Sequence, residues 1–307
     1  MGKKEIIQSL LDRDSGEIIE VYEGDKLKIT RKNQQEAIDK SLQTKKLNNE
    51  TKEWNTELGG FVFVLFKYCD KIINTQSEIT PEDITKLFYL ATFVDYQGYL
   101  IYEDTYMTRQ EMQLILNINR KNFDLFFNKM KKNNILIQVN KKTIRINKEY
   151  FTKGEIDKEM QQYYDYTRVY IKTIRYLFEN VTQRKHKQLG TYFKLIPYIH
   201  RQQNVLCWNP SDNINDITPM MLSDLKDILG YTHKSVKPFI DSLLETRLEN
   251  GEAILGFFVT NSDFWKSTVV INPRVFYGGN FDIDGGRNAF TQYFKLKGYN
   301  NTKYLSK

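Results

Sequence analysis

The chain has 307 residues, a formal net charge of +7, 40% hydrophobic and 14% aromatic content. That is long for one hydrophobic core and comfortable for two domains, and it excludes wholesale disorder. No apolar run approaches the roughly 18–20 residues that span a membrane. The first residues carry no signal-peptide core, and Cys69 and Cys207 form neither a disulfide framework nor a metal spacing. A cytoplasmic protein with no membrane partner is expected.

In chain order, residues 1–57 open with "LLDRDSGEIIEVYEGDKLKI", whose alternation and turns at "DSGE" and "EGDK" predict a small hairpin. The rest of that stretch is polar throughout, a solvated helix or a lead-in. "FVFVLFKYCD" (61–70) reads as a strand. A helix is predicted over 80–95, with Thr80 as cap, Pro81 at the first position and acids in the first turn. "YLIY" is a short strand, and a second helix runs from near Thr108 to "LNIN". A third starts at once, capped by Asn119, with Phe123, Phe126, Phe127 and Met130 as its apolar set. "ILIQVN-KK-TIRIN" closes the segment as a two-stranded hairpin.

The same order then recurs. "VYIKTIRYLF" (169–178) answers 61–70 at an offset of 108, and a helix predicted over 185–201 answers 80–95 at about 105. "NVLCW" is the short strand; a helix is predicted from Thr218, with Pro219 at its first position, to "LGYT". "LKDILGYTHKSVKPFIDSL" (225–243) answers "MQLILNINRKNFDLFFNKM" (112–130) at 113, with Thr232 as the next cap. "AILGFFVTNSDFWKSTVVIN" supplies the last strands, and "VVINPRVFYGGN" repeats "IRINKEYFTKGE" at 125. Offsets that drift between blocks in constant order mark a duplicated domain with loop insertions. Gly154 and Gly279 supply backbone freedom at the two exits.

The fold class expected is mainly α with small β wings (α+β), as two tandem winged helix-turn-helix domains. The divisions are 1–57, the hairpin and lead-in; 58–156, the first domain; 157–280, the second; and 281–307, a basic tail.

Charge is concentrated where such a domain meets DNA. Residues 117–153 hold ten Lys or Arg against Asp124 and Glu149, a balance of +8. On the third helix Asn119, Arg120, Lys121, Asp124 and Asn128 face away from the aromatic side, with Lys131 further along. Arg and Lys pair with guanine edges and Asn with adenine. Lys141, Lys142 and Arg145 sit on the wing as a phosphate grip. The second copy balances to zero over 231–280. Its candidates are His233, Lys234, Ser235 and Lys237, and the stretch 184–201, which carries five Lys or Arg, among them Arg184, Lys185 and Lys187, and no acid. Two readings stay open: both copies touch double-stranded DNA, or the second holds a protein partner or dimer mate.

The exits "INKEYFTKG" and "INPRVFYGG", after "TRQEMQLILNINRKNFDLFFNKMKKNNIL", resemble the winged-helix domains of replication proteins of Gram-positive plasmids and phages, including the RepL-like initiators. "LDRDSGEIIE" and "GGFVFVLFKY" resemble the start of such proteins. The resemblance is carried mostly by residues 58–156 and implies duplex binding at an origin or operator; separately, no cofactor is expected.

Catalytic constellations are missing from the sequence. The histidines, His186, His200 and His233, are too widely spaced for a paired-histidine nicking site; there is no phosphate-binding glycine loop followed by Lys. No Cys or His cluster suits zinc. "FDIDGG" (281–286) is a fragment of a cation loop that reads better as a turn. The 20 tyrosines suggest a nicking nucleophile or base stacking, yet Tyr89, Tyr192 and Tyr198 fall on faces that read as core. Two rivals to a DNA reader remain: an interaction protein that docks on a host replication or transcription protein such as RNA polymerase, and a single-strand or RNA binder.

Overall fold

The computed structural model describes residues 6–11, 18–22, 38, 41–42, 45, 49, 52–65, 78–140, 143–154, 156, 166–200, 203–210, 216–258 and 264–278. It divides into two units, Met1–Glu53 and Trp54–Lys307. In the first, β1 (Ile6–Leu11) and β2 (Ile18–Tyr22) form the expected antiparallel hairpin, with Leu11 opposite Ile18 at its closed end. "DSGE" and "EGDK" both lie outside the described residues.

The second unit is α+β, helices with small antiparallel sheets. β3 (Phe61–Leu65) is followed by α1 (Pro81–Ala91), β4 (Ile101–Tyr102), β5 (Thr105–Tyr106), α2 (Arg109–Ile115) and α3 (Arg120–Lys132). Strands β6 (Leu136–Gln138), β7 (Ile144–Ile146) and β8 (Phe151–Thr152) end the first copy. The second runs β9 (Tyr166–Tyr170), α4 (Ile171–Asn180), α5 (Gln183–Phe193), α6 (Leu225–Leu229) and α7 (His233–Glu245). It ends with β10 (Leu255–Phe258), β11 (Thr268–Ile271) and β12 (Phe276–Tyr277).

Local chemistry sets these boundaries. Thr80 and Asp83 cap α1 reciprocally, as Thr108 and Glu111 cap α2. After α2 the chain turns through Asn117 at φ 50°, and after α6 through Gly230 at φ 67°, the left-handed conformation that ends a helix. These two residues are 113 apart, the offset read from the sequence.

The repeated phrase has a structural cause, an asparagine that pins the last turn. Asn147 Oδ1 accepts from the Glu149 N–H at 3.1 Å, and its Nδ2 donates to Asn134 O at 3.1 Å. Asn272 Oδ1 accepts from the Arg274 N–H at 2.9 Å, and its Nδ2 donates to Ala253 O at 2.8 Å. Each asparagine therefore ties the exit of the hairpin to the entry of its first strand. Asn272 is fully buried and also donates to Glu252, whereas Asn147 is half-buried. We expect Asn272→Ala to cost about 2–3 kcal/mol and Asn147→Ala no more than about 1 kcal/mol, because only the former strands buried polar groups. Denaturant unfolding of the two variants checks the order.

The two copies share one sheet, in the order β12-β9-β3-β8. At its centre β3 and β9 run antiparallel, Phe61 opposite Tyr170, Phe63 opposite Arg168 and Leu65 opposite Tyr166. Each residue of β3 corresponds to the one 105 later in β9, so equivalent residues Phe63 and Arg168 face each other. The outer pairs obey the same rule: Val64 lies opposite Phe151 and Val169 opposite Phe276. An approximate two-fold axis therefore passes between β3 and β9.

The helices follow it. Phe88 and Phe193, also 105 apart, meet at 4.5 Å between ring centres. Phe151 packs on Phe88 at 5.1 Å and Phe276 on Phe193 at 5.5 Å, closing a buried four-ring cluster. Across the α1–α5 crossing, Thr85 Oγ1 donates to His186 O at 2.6 Å. Gly190 lies so close to Pro81 that an added Cβ would stand 1.7 Å from the Pro81 carbonyl oxygen. One hydrophobic core runs through both copies. The alternating strand "FVFVL" buries Val62 and Val64 there, and turns Phe63 and Leu65 to the opposite face. Trp54 and Leu58 pack on that opposite side against Tyr170 and Tyr277.

Three expectations are corrected. The second opening strand is Tyr166–Tyr170, three residues before the placement at offset 108; "IKTIRYLFEN" is instead α4, an amphipathic helix that buries Ile171, Ile174, Leu177 and Phe178. The helix from Thr218 begins only after Met221, first as a tight turn at Leu222–Asp224, then as α6. Pro219 lies in extended chain opposite Cys207, and Met220 N donates to Leu206 O, so strand pairing outcompetes the helix there. The first helices are shorter than predicted, Pro81–Ala91 and Gln183–Phe193. Gly154 has the positive φ expected of an exit, at 94°; Gly279 lies outside the described residues.

Replacing Gly190 by alanine pushes a methyl group into backbone. We expect about 3 kcal/mol of destabilisation or more, seen as a lower denaturation midpoint in chemical unfolding.

Candidate nucleic-acid interface

α3 is fixed from below by Phe123, Phe126, Phe127 and Met130, all buried. Its outward face carries Arg120, Lys121, Asn122, Leu125, Asn128, Lys131 and Lys132, all exposed. The Arg120 side chain is 89% exposed and 4.0 Å from Asp124. Lys121, Asn128 and Lys131 likewise project into solvent.

Not every candidate is available. Asn119 Oδ1 accepts from the Asn122 N–H at 2.9 Å, so its carbonyl is used in capping. Asp124 is held by Arg109 at 2.7 Å, and Arg109 in turn lies over the Phe127 ring at 4.2 Å. The pair locks α2 onto α3, so Asp124 positions the helix. Two of the cations counted in the sequence are also neutralised from outside the stretch: Lys129 by Asp83 at 2.6 Å and Lys132 by Glu78 at 2.8 Å. Arg145 lies half-buried in β7 opposite Ile137, its Nε buried without a hydrogen-bond partner among the described residues. Lys141 and Lys142 lie outside the described residues.

The basic start of α5 lies against this same region, a proximity the sequence did not signal. Gln183 Nε2 donates to Asn117 O at 3.0 Å, so the start of α5 touches the α2–α3 turn of the other copy. Arg184, the next residue, and Lys187, one turn on, are exposed. Lys185 is half-buried and turns toward Glu245 of α7, 3.9 Å away.

The equivalent helix of the second copy is differently equipped. Thr232 caps α7 together with Ser235, whose Oγ accepts from the Thr232 N–H at 2.9 Å; Ser235 is thereby engaged. Lys237 is tied to Asp241 at 2.8 Å. Lys234 remains exposed; His233 opens the helix. Asp241 and Glu245 stand where α3 has Asn128 and Lys132, 113 earlier. The contact between first and third helix persists with its chemistry exchanged: Asp83–Lys129 in one copy, Gln188–Ser242 at 2.5 Å in the other.

Among the described residues no group of three or more His, Cys, Asp or Glu is placed to hold a metal ion. "FDIDGG" lies outside them. His186 is stacked on Phe178 and bound to the Phe178 carbonyl at 3.0 Å; burial pushes its pKa down. Tyr192 is fully buried with its hydroxyl donating to Ile254 O at 2.8 Å, and burial raises its pKa well above the ordinary value. Tyr89 is also core, stacked on Phe178 at 3.9 Å. No helix of the described residues is long and apolar enough to cross a membrane.

No family model, curated protein or solved structure matches the chain.

Asp83 gives the base of α3 a pH dependence. Burial raises its pKa, but the hydrogen bond from Lys129, the Thr80 N–H and the charge of Lys86 together outweigh burial and hold it below the ordinary Asp value. A depressed folded-state pKa contributes stability that is complete above the unfolded value and lost as pH falls through the folded one. The stability difference between wild type and Asp83→Asn should therefore be constant above about pH 5 and close below about pH 4. Unfolding of both proteins across that range measures it.

Proposed function

We propose that the chain is a non-enzymatic, sequence-specific double-stranded DNA-binding protein of phage or plasmid origin, a replication initiator or transcriptional regulator. In this reading each copy is a winged helix-turn-helix: α2 and α3, or α6 and α7, form the helix-turn-helix, and β6–β7, or β10–β11, the wing. The observation that carries it is the outward face of α3, where Arg120, Lys121, Asn128 and Lys131 are exposed just beyond a tight turn. Arg and Asn at the start of such a helix supply base-edge donors and acceptors in a major groove. Arg184 and Lys187, beside the same turn, supply phosphate contacts that fix register.

Arg120→Ala is expected to relax sequence preference and cost about 1–3 kcal/mol on the preferred duplex. Arg184→Ala is expected to weaken preferred and random duplexes alike, and to flatten the salt dependence by about one unit. Titrations of both variants at several salt concentrations separate the roles. Equal losses on preferred and random DNA from Arg120→Ala contradict this division.

A second reading, a dock for a host replication or transcription protein, is favoured by one observation. Phe258 and Met221 both lie opposite Thr268 on neighbouring strands, on one face, at 38% and 44% exposure. Recovery of one stoichiometric host protein, with no duplex retained at physiological salt, supports that reading over DNA binding.

A further inference from the structure

We propose that a single chain engages both arms of an inverted repeat in duplex DNA, α3 reading one arm strictly and α7 the other loosely. The inference rests on the duplex-binding reading above and deepens it.

Its basis is the symmetry inside the chain. A duplicated domain can be arranged by translation or by rotation, and the two predict different DNA sites. Translation gives direct repeats. Rotation about a two-fold gives inverted arms, because the duplex has the same symmetry between its strands. The pairing of β3 with β9 decides for rotation: residues 105 apart face each other at Phe63 and Arg168, and the strands run antiparallel. Phe88 against Phe193 repeats the relation in the helical layer. The outer pairs, Val64 with Phe151 and Val169 with Phe276, extend it to the closing strands of both copies. A two-fold places α3 and α7 at the same height along its axis and in opposite senses, so a duplex lying across that axis would meet both. The two copies share a single core, which holds the helices at a fixed separation.

The arms need not be read equally. α3 offers Arg120, Lys121, Asn128 and Lys131. At the equivalent places α7 has His233, Lys234, Asp241 and Leu244. Asp241 is occupied with Lys237, and Ser235 with the cap. Lys234 is the exposed cation that remains at its start. The second arm is therefore held with fewer base-reading groups. The DNA site is an imperfect inverted repeat, and one chain is sufficient to occupy it.

The test uses the full chain. Duplexes bound by wild type are selected from a random pool at near-physiological salt, and the mass of the purified complex gives the number of chains per duplex. Each arm is then mutated base by base and titrated against wild type, Arg120→Ala and Lys234→Ala, both variants being first checked for wild-type melting. The expected result is two arms in opposite orientation and one chain per duplex. Arg120→Ala then loses discrimination about fivefold or more at the strict arm only, and Lys234→Ala weakens dependence on the other arm only. Arms in the same orientation, a single arm, or two chains per duplex overturn the inference while leaving duplex recognition intact. Failure to enrich any duplex removes the duplex-binding reading itself, and this inference with it.

Discussion

Four phenylalanines, Phe88, Phe151, Phe193 and Phe276, meet on the axis that relates the two halves of the chain, and the rest of the fold depends on that seam. Each copy's own sheet is meagre: β8 and β12 are two residues long, and without its neighbour each opening strand would present an unpaired edge. Pairing β3 with β9 removes both edges at once. The aromatic cluster on one face and Trp54, Tyr170 and Tyr277 on the other exclude water from the join. At the helix crossing Gly190 lets the backbones approach by lying against Pro81, and Thr85 donates a hydrogen bond to the His186 carbonyl. The two halves thus form an object resembling a symmetric dimer inside one chain.

A common scaffold with exchanged surface chemistry explains the uneven charge. The first and third helices of each copy touch at corresponding places, and that contact accepts Asp83 with Lys129, or Gln188 with Ser242. Packing fixes where the helices lie, leaving the outward residues free to differ. The first copy kept exposed cations on α3; the second placed them on α5, whose start leans on the first copy's turn through Gln183 and Asn117. Cations that are distant in sequence, Arg120 and Arg184, are thereby brought to the same neighbourhood.

Much of this was legible in the sequence, and the reasons are local. Thr80, Asn119 and Thr232 stand at the caps they were expected to occupy, because a side-chain oxygen before an apolar-periodic run has one natural place. The repeated Ile-Asn was visible because its asparagine does the same job twice. The rest depended on partners remote in sequence. "VYIKTIRYLF" has the apolar content of a strand, yet from Ile171 its spacing suits a helix packed on α1, where Arg175 bonds Thr92 and lies over Phe93. Pro219 at a helical first position was overruled by pairing with Cys207. The charge count missed Asp83 and Glu78, which neutralise two of the counted lysines from outside the stretch. The rotational relation between the copies left no trace in the sequence, since offsets are the same for translation and rotation.

The central claim is that both copies form one cooperative body. Native-state hydrogen exchange of the β3 and β9 amides, in wild type and in Phe127→Ala, tests it most directly. Phe127 is buried in the first copy, on α3, and is not one of the four seam rings; its truncation should cost about 3–5 kcal/mol. The account predicts that protection of β9, in the second copy, falls by the same free energy as that of β3. A fall confined to β3, with β9 unchanged, would contradict it.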